Sequence, residues 1–498
     1  MASIKQAVGI ILTRDPESTE VYLVKRNNKL RFFGGYEAFV GGKLDAADRD
    51  IPVLNAETCD TGNLPYIVAA TREIFEETGI LLTSGAGKIA PDRLQDYRRQ
   101  LLEEEIDFKY LLETEKVSID ANRFHFLCSI ITPEFSPVRY DTQFFWVHLP
   151  ESAIPEILQG ELVEGTFVTA EKALDLWVQG EMLIVPPVIF MLKEMVGLSL
   201  TSAAGRIKQF AEDYKRGRIH QVYFTPGVQL IAQKTRTLLP ATHTNTYLVG
   251  EDDLYIIDPA PPDPNEQDRL WNYFEERLKE GKTFKAILLT HHHSDHIGAV
   301  KNCQKRYRLP LFAHPKTAEK LPMFHFSGFL NDGDELNLGT APDGSTGWKL
   351  KVLHTPGHAS GHLAFQENRY GAIIAGDLIS TLSTIVINPP DGHLATYIES
   401  LKRMESLATG TIYPGHGPAV LNGRDVLRQY IQHRLQREKK LRESLSDKPQ
   451  ATDELVAKVY DDVEPMIWPL AELSLKAGLI KLIEEGKCKQ VKDGFVSL

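Results

Sequence analysis

The stretch from Thr290 to Gly298, THHHSDHIG, places four imidazoles and a carboxylate within six residues, directly behind an apolar run. The 498-residue chain has only sixteen histidines, so this density marks a coordinating site. His291 and His293 are two apart, and Asp295 and His296 follow. A loop leaving a strand can turn alternate side chains toward one point, so the first pair can serve one metal and the second a neighbouring metal. Zinc accepts imidazole nitrogen and carboxylate oxygen and needs three or four ligands, so four residues do not complete two sites. Further donors occur downstream at glycine-rich junctions: His358 in HTPGHASGH, Asp377 in AGDLIS and His416 in YPGHGP. Glycine lets backbone approach a metal without an intervening Cβ. Two divalent cations about 3.5 to 4 Å apart activate water at neutral pH and polarise the oxygen it attacks. The expected reaction is hydrolysis.

The order H-x-H-x-D-H, T-P-G-H, G-D and P-G-H-G resembles that of the metallo-β-lactamase fold. The resemblance spans roughly residues 219 to 420. It implies that His291, His293 and His358 hold one zinc ion, that Asp295, His296 and His416 hold a second, and that Asp377 bridges them, with Asp295 and Asp377 as catalytic residues. A structural zinc would favour a closed, cysteine-rich site, and a flavodiiron centre would need a flavin domain that is not readable. Ligating imidazoles need a partner for their other nitrogen, and Asp258 and His354 are the expected orienting residues. His292 is expected to turn away from the metals. His362 is read as touching substrate or, by preference, capping a strand, and His314, His325 and His393 as ordinary surface or core residues.

A second chemistry lies near the N-terminus. Glu73, Glu76 and Glu77 in REIFEETGI stand at i, i+3 and i+4, which puts three carboxylates on one helical face. Such a cluster repels itself unless divalent cations sit among it, and oxygen ligation suits Mg2+ or Mn2+ bridging to a diphosphate. With Arg72 and Gly79 in register, this resembles the Nudix box, G-x5-E-x7-R-E-U-x-E-E-x-G-U. Asp48 replaces the first glutamate, and Arg49 to Thr71 is 23 residues where the box has 7. That interruption and the flanking RFFGGYEAFVGGKLDAAD resemble the peroxisomal coenzyme A diphosphatase branch. Arg26, Arg31, Gly35, Phe39, Gly41 and Gly42 match its coenzyme A signature, whereas Asn27 and Val40 depart from it. The resemblance implies hydrolysis of coenzyme A or a related nucleotide, or a domain that only binds nucleotide.

The elements that must position these groups form a mixed α/β pattern in several domains. Residues 1–198 read as a Nudix α/β/α domain and 199–217 as a linker or connecting helix. Residues 218–422 read as a metallo-β-lactamase αββα sandwich, whose short strands each end just before a chemical residue. Residues 423–498 read as an amphipathic helix, two shorter helices and a hairpin. From 424 to 442, seven cations face two carboxylates, and a positive helix attracts phosphates. Arg437 and Lys440 are the expected phosphate contacts, against a solvated face packed on its own domain. The tail PMIWPLAELSLKAGLIKLIEEGKCKQV resembles the winged-helix extension of the beta-lactamase-like protein two group, which implies cleavage of single-stranded RNA or an uncharacterised hydrolysis. The coenzyme A signature and the glyoxalase-II-like members of the same fold imply a thioester substrate instead.

A formal net charge of -11 excludes a chain-wide basic footprint. Hydrophobic and charged residues, at 42% and 25%, are those of a globular protein. Cys59, Cys128, Cys303 and Cys488 lie far apart, so neither a disulfide framework nor a thiolate zinc site is expected. No signal peptide or membrane span is readable, and a cytoplasmic or organelle-matrix location is expected.

Overall fold

The computed structural model describes residues 4–30 and 33–498. The chain divides into two compact units, residues 1–222 and 223–498.

In the first unit, a four-stranded sheet runs in the order Val40–Lys43, Ile4–Thr13, Arg139–His148 and His125–Ile131. A three-stranded sheet combines Glu37–Ala38, Glu20–Arg26 and Leu162–Thr169. The helix Leu64–Thr78 packs on the first sheet through Ile67, Ile74 and Phe75, all fully buried. Truncating Phe75 to Ala would cost about 3–5 kcal/mol. The helix starts with Pro65 in its first turn and stops at Gly79, which takes the left-handed conformation (φ 75°).

The insertion ahead of Arg72 folds locally. It forms a short 3-10 turn, Ala47–Asp50, then the strand Val53–Leu54 paired in parallel with Ile119–Asp120, and finally the first two turns of the helix. Residues 199–217 contain the helix Leu200–Lys215, which buries Leu200, Ala203, Ala204, Ile207 and Ala211 and packs against His125–Ile131.

Glu37 is buried in the small sheet, in cross-strand register with Lys25, which is itself opposite Glu164. Burial pushes its carboxyl up to about 7, Lys25 opposing and Glu164 adding. A raised acid stabilises the fold below its unfolded value near 4.5, and that stability is lost as pH rises through 7. Glu37→Gln should therefore raise stability at pH 8 by up to roughly 3 kcal/mol, since each pKa unit is worth about 1.4 kcal/mol, and change little at pH 4. Urea melts of the full chain at both pH values measure this, and an equal shift at the two would rule the burial cost out.

The second unit stacks a seven-stranded sheet, ordered from Val222–Thr225 to Gly328–Phe329, and a five-stranded sheet. The latter runs Glu335–Gly339, Trp348–His354, Leu363–Glu367, Ile373–Ser380 and Ile412–His416. Helices Leu394–Leu407 and Gly423–Ser444 cover the five-stranded sheet through Tyr397, Leu401, Met404 and Leu427. Helices Thr452–Val459 and Trp468–Glu484 and the hairpin Cys488–Val491/Gly494–Ser497 complete the C-terminal region around Leu455, Leu475, Leu479 and Leu482. The two following helices, of 8 and 17 residues, are both shorter than the 22-residue helix Gly423–Ser444.

All four cysteines are unpaired. Among the described residues no helix is long and apolar enough to cross a membrane.

Candidate metal centre and carboxylate helix

The strand Thr283–Leu288 ends just before His291 and His293, and the short helix Ser294–Ile297 carries Asp295 and His296. His358 lies in the loop after Trp348–His354, and His416 is the last residue of its strand. Asp377 departs from the expectation that every chemical residue follows a strand: it sits inside Ile373–Ser380. The register shift against Ile412–His416 between Gly376 and Ser380 marks a bulge there, and a bulge re-aims a side chain within a strand. Gly376 has φ 49°, and a Cβ on it would lie 2.8 Å from His362 Nε2 and 2.9 Å from Thr290 Cβ.

Two donor groups share Asp377. In the first, His293 Nδ1 lies 3.1 Å from His291 Nε2 and 2.9 Å from His358 Nε2, and Asp377 Oδ2 lies 3.4 Å from His358 Nε2 and 3.9 Å from His291 Nε2. In the second, Asp377 Oδ1 lies 3.3 Å from His296 Nε2 and 3.4 Å from His416 Nε2, and Asp295 Oδ2 lies 3.5 Å from His416 Nε2. The structure thus brings together all seven donors expected from the sequence.

The outer nitrogens have partners. Asp258 Oδ2 meets His296 Nδ1 at 2.9 Å and accepts from Thr290 Oγ1 at 2.5 Å, and that hydroxyl lies 2.9 Å from His291 Nδ1. His358 Nδ1 reaches the Val386 carbonyl and His416 Nδ1 the His243 carbonyl, each at 2.9 Å. Such partners fix ring orientation and tautomer. Asp258→Asn should lower metal affinity about 10- to 100-fold, read by competition with a chromophoric chelator; unchanged affinity would exclude this role for Asp258.

His354 does not take the expected orienting place. Its ring stacks on His314 (4.2 Å, 6° between planes), and its Nε2 lies 3.1 Å from the Ser360 carbonyl. The residue behind Asp377 is His362, whose Nε2 accepts the Asp377 N–H at 3.1 Å while its Nδ1 meets Thr355 Oγ1 at 2.8 Å. It is fully buried and directly precedes the strand Leu363–Glu367. His292 turns toward Asp391 (3.8 Å). His393 caps the helix Leu394–Leu407 and meets Glu484 at 3.0 Å, and His325 is exposed.

Burial holds His291, His293 and His358 below the usual imidazole value, His358 at about 4, which keeps them in the neutral form that ligates metal. Burial acts the same way on His296 and His416, but it is outweighed together by Asp377, Asp295 and Asp258 around His296, and by Asp377 and the His243 carbonyl around His416, so both are raised. They in turn hold Asp377 well below the carboxylate range against its own burial. His296 Nε2 and Asp377 Oδ1 are buried without a hydrogen-bond partner, as two atoms facing a shared cation would be. The donor set therefore fits two divalent ions, and its nitrogen-rich character suits zinc.

In the first unit, Arg72 organises the carboxylates. It reaches Asp48 through Nε (3.2 Å) and Nη2 (3.0 Å), Glu73 at 2.8 Å and Glu76 at 3.2 Å. Asp48 is buried, so the insertion returns it to the helix despite the added length. Gly41 N–H donates to Glu77 Oε2 at 3.2 Å, and a Cβ on Gly42 would lie 2.2 Å from Glu73 Oε1. Burial raises Glu73 to about 7 against Arg72, raises Glu76, and together with Glu73 pushes Glu77 well above its ordinary value. Arg26 pairs with Glu161 at 3.0 Å and keeps a buried Nε without a partner, while Gly35 (φ 80°) donates its N–H to the Arg26 carbonyl. Arg31 lies outside the described residues.

Both cations expected to meet phosphates are engaged by their own domain. Arg437 grips Asp462 at 2.6 and 3.0 Å and lies over the Tyr460 ring, Lys440 pairs with Asp461, and Arg434 is buried.

Residues 239–416 match the metallo-β-lactamase superfamily, and residues 451–495 match the β-lactamase-associated winged helix domain. The chain is 29% identical over 271 residues to the Beta-lactamase-like protein 2 homolog of Drosophila melanogaster, covering 50% of this chain and 85% of that protein. It is 31% identical over 199 residues to Thioesterase pkgB of Emericella nidulans, covering 40% of this chain and 53% of that one. Its fold also resembles a NUDIX hydrolase from Alicyclobacillus acidocaldarius, at 26% identity and a TM-score of 0.35, over 41% of this chain and 97% of that one. The chain is a mixed α/β multidomain protein that carries a metallo-β-lactamase domain followed by its associated winged helix.

Proposed function

We propose that the second unit is a dinuclear zinc hydrolase acting on an acyl thioester, and that the first is a Nudix-type diphosphatase using Mg2+ or Mn2+. The observation that supports the first reading is the division of Asp377 between two donor groups, Oδ2 toward His291, His293 and His358 and Oδ1 toward His296 and His416. When bound there, a pair of divalent cations supplies a nucleophile active at neutral pH and polarises the oxygen under attack. The chain's own part is to hold that geometry. His291, His293 and His358 present neutral nitrogens, and Asp258 and Thr290 lock two of the rings from behind. Asp295, half-buried at the rim of the second group, orients the attacking water and takes its proton.

A thioester is favoured over single-stranded RNA because the cations expected to meet phosphates are already paired with carboxylates of their own domain at its surface, Arg437 with Asp462 and Lys440 with Asp461. The thioesterase among the relatives supports the same choice. The full chain with acyl-coenzyme A should release free thiol, and His293→Ala should abolish it. Labelled single-stranded RNA should remain intact; cleavage lost in the same variant would transfer the zinc centre to phosphodiester hydrolysis.

For the first unit, the support is the cluster of Glu73, Glu76 and Glu77 beneath Gly41 and Gly42, with Arg26 beside it, which suits a cation bridging to the diphosphate of coenzyme A or a related nucleotide.

A further inference from the structure

The segment that follows Asp377 leaves its strand at Ser380 and runs to Ile387 under the C-terminal helices. Within it, the Val386 carbonyl meets His358 Nδ1 at 2.9 Å. The carbonyl can aim the ring only if its own segment is fixed, and side chains from the C-terminal helices flank it on both sides. On one side, Arg434 Nη2 donates to the Ile385 carbonyl. On the other, Ser474 Oγ accepts the Ile387 N–H at 3.4 Å. One turn earlier on the same helix as Arg434, Tyr430 Oη accepts the Ser380 N–H at 2.9 Å and donates to the Ser383 carbonyl at 2.8 Å. Tyr430 and Arg434 stand at i and i+4, so they share the helix face turned to this segment. Arg434 is 6% exposed, with its guanidinium over the Tyr397 ring at 5.1 Å.

We propose that Arg434 and Ser474 are positioning residues for the first metal group: by fixing the backbone on either side of Val386, the C-terminal helices set the orientation and tautomer of His358. The rings of the second group take their outer contacts elsewhere, His416 from the His243 carbonyl and His296 from Asp258. The inference rests on the metal-centre reading above. It gives Arg434, drawn from the helix whose charge suggested phosphate binding, a role directed inward.

The test separates the two groups. His416→Ala retains the donors of the first group, and His358→Ala those of the second. Zn2+ affinity of the metal-stripped full chain is measured in each background by chelator competition, with and without Arg434→Met, which keeps an unbranched apolar stem. Removal of a residue that orients a ligand typically costs about 10- to 100-fold in metal affinity. The loss should appear in the His416→Ala background and be absent in the His358→Ala background. Ser474→Ala, far milder for folding, should show the same one-sided pattern at smaller amplitude and covers the case in which the arginine variant does not fold. Equal losses in both backgrounds would reduce the two residues to general packing and overturn the proposal, as would no loss in either. Failure of the parent chain to bind Zn2+ at all would instead remove the metal-centre reading, and the proposal with it.

Discussion

Replacing Asp377 by Asn should abolish hydrolysis in the second unit, by on the order of 10³-fold or more, and reduce bound metal from about two ions per chain to one or none. Asp377 offers one oxygen to each donor group, so the substitution weakens both groups at once. The amide keeps the volume and can still offer one oxygen, but the other position becomes an NH2 that cannot ligate. Electrostatic support worth several kcal/mol is lost, and about 1.4 kcal/mol corresponds to each tenfold in rate. The fold should survive, because the strand Ile373–Ser380 is held by buried neighbours such as Ile373, Ala375, Leu378 and Ile379. Elemental analysis, thiol release and near-ultraviolet circular dichroism read the three parts of this expectation. Two ions per chain in the variant would show that Asp377 does not bridge.

Glu77→Gln should remove the magnesium-dependent cleavage of coenzyme A by about 10²–10⁴-fold, the range of a positioned catalytic carboxylate, while leaving the zinc reaction unchanged. Glu77 is held by the Gly41 N–H at 3.2 Å, and its neighbour Glu73 raises its cost of ionisation further. A divalent cation offsets that cost, and glutamine cannot ligate it with the same charge. The readout is release of the nucleotide half of coenzyme A, followed beside thiol release from the acyl substrate. Equal loss of both activities would mean that neither unit works without the other.

The metal donors were legible because each sits in a short motif with its own punctuation, and because imidazoles at i and i+2 constrain geometry locally. The carboxylate helix was legible for the same reason, down to Arg72 and Gly79. What lay beyond reach depends on contacts between distant segments. His354 and His362 are equally spaced about His358, at four residues on either side, yet only the fold puts His362 against the Asp377 backbone and sends His354 to stack on His314. The cations of the helix Gly423–Ser444 likewise read as available because their partners, Asp461 and Asp462, lie more than twenty residues on. Charge counted along a helix face does not show which side a neighbouring helix will cover.

The buried contact between Asp48 and Arg72 also bears on how the first unit tolerates change in length. Closing a flexible loop costs free energy that rises only with the logarithm of its length, so growth from 7 to 23 residues adds about 1 kcal/mol. The pairing of Val53–Leu54 with Ile119–Asp120 offsets part of that by removing freedom from the inserted chain. The exposed turn around Glu57 and Thr58, between that strand and the helix, is accordingly the place where a few flexible residues could be added or removed without disturbing the carboxylates.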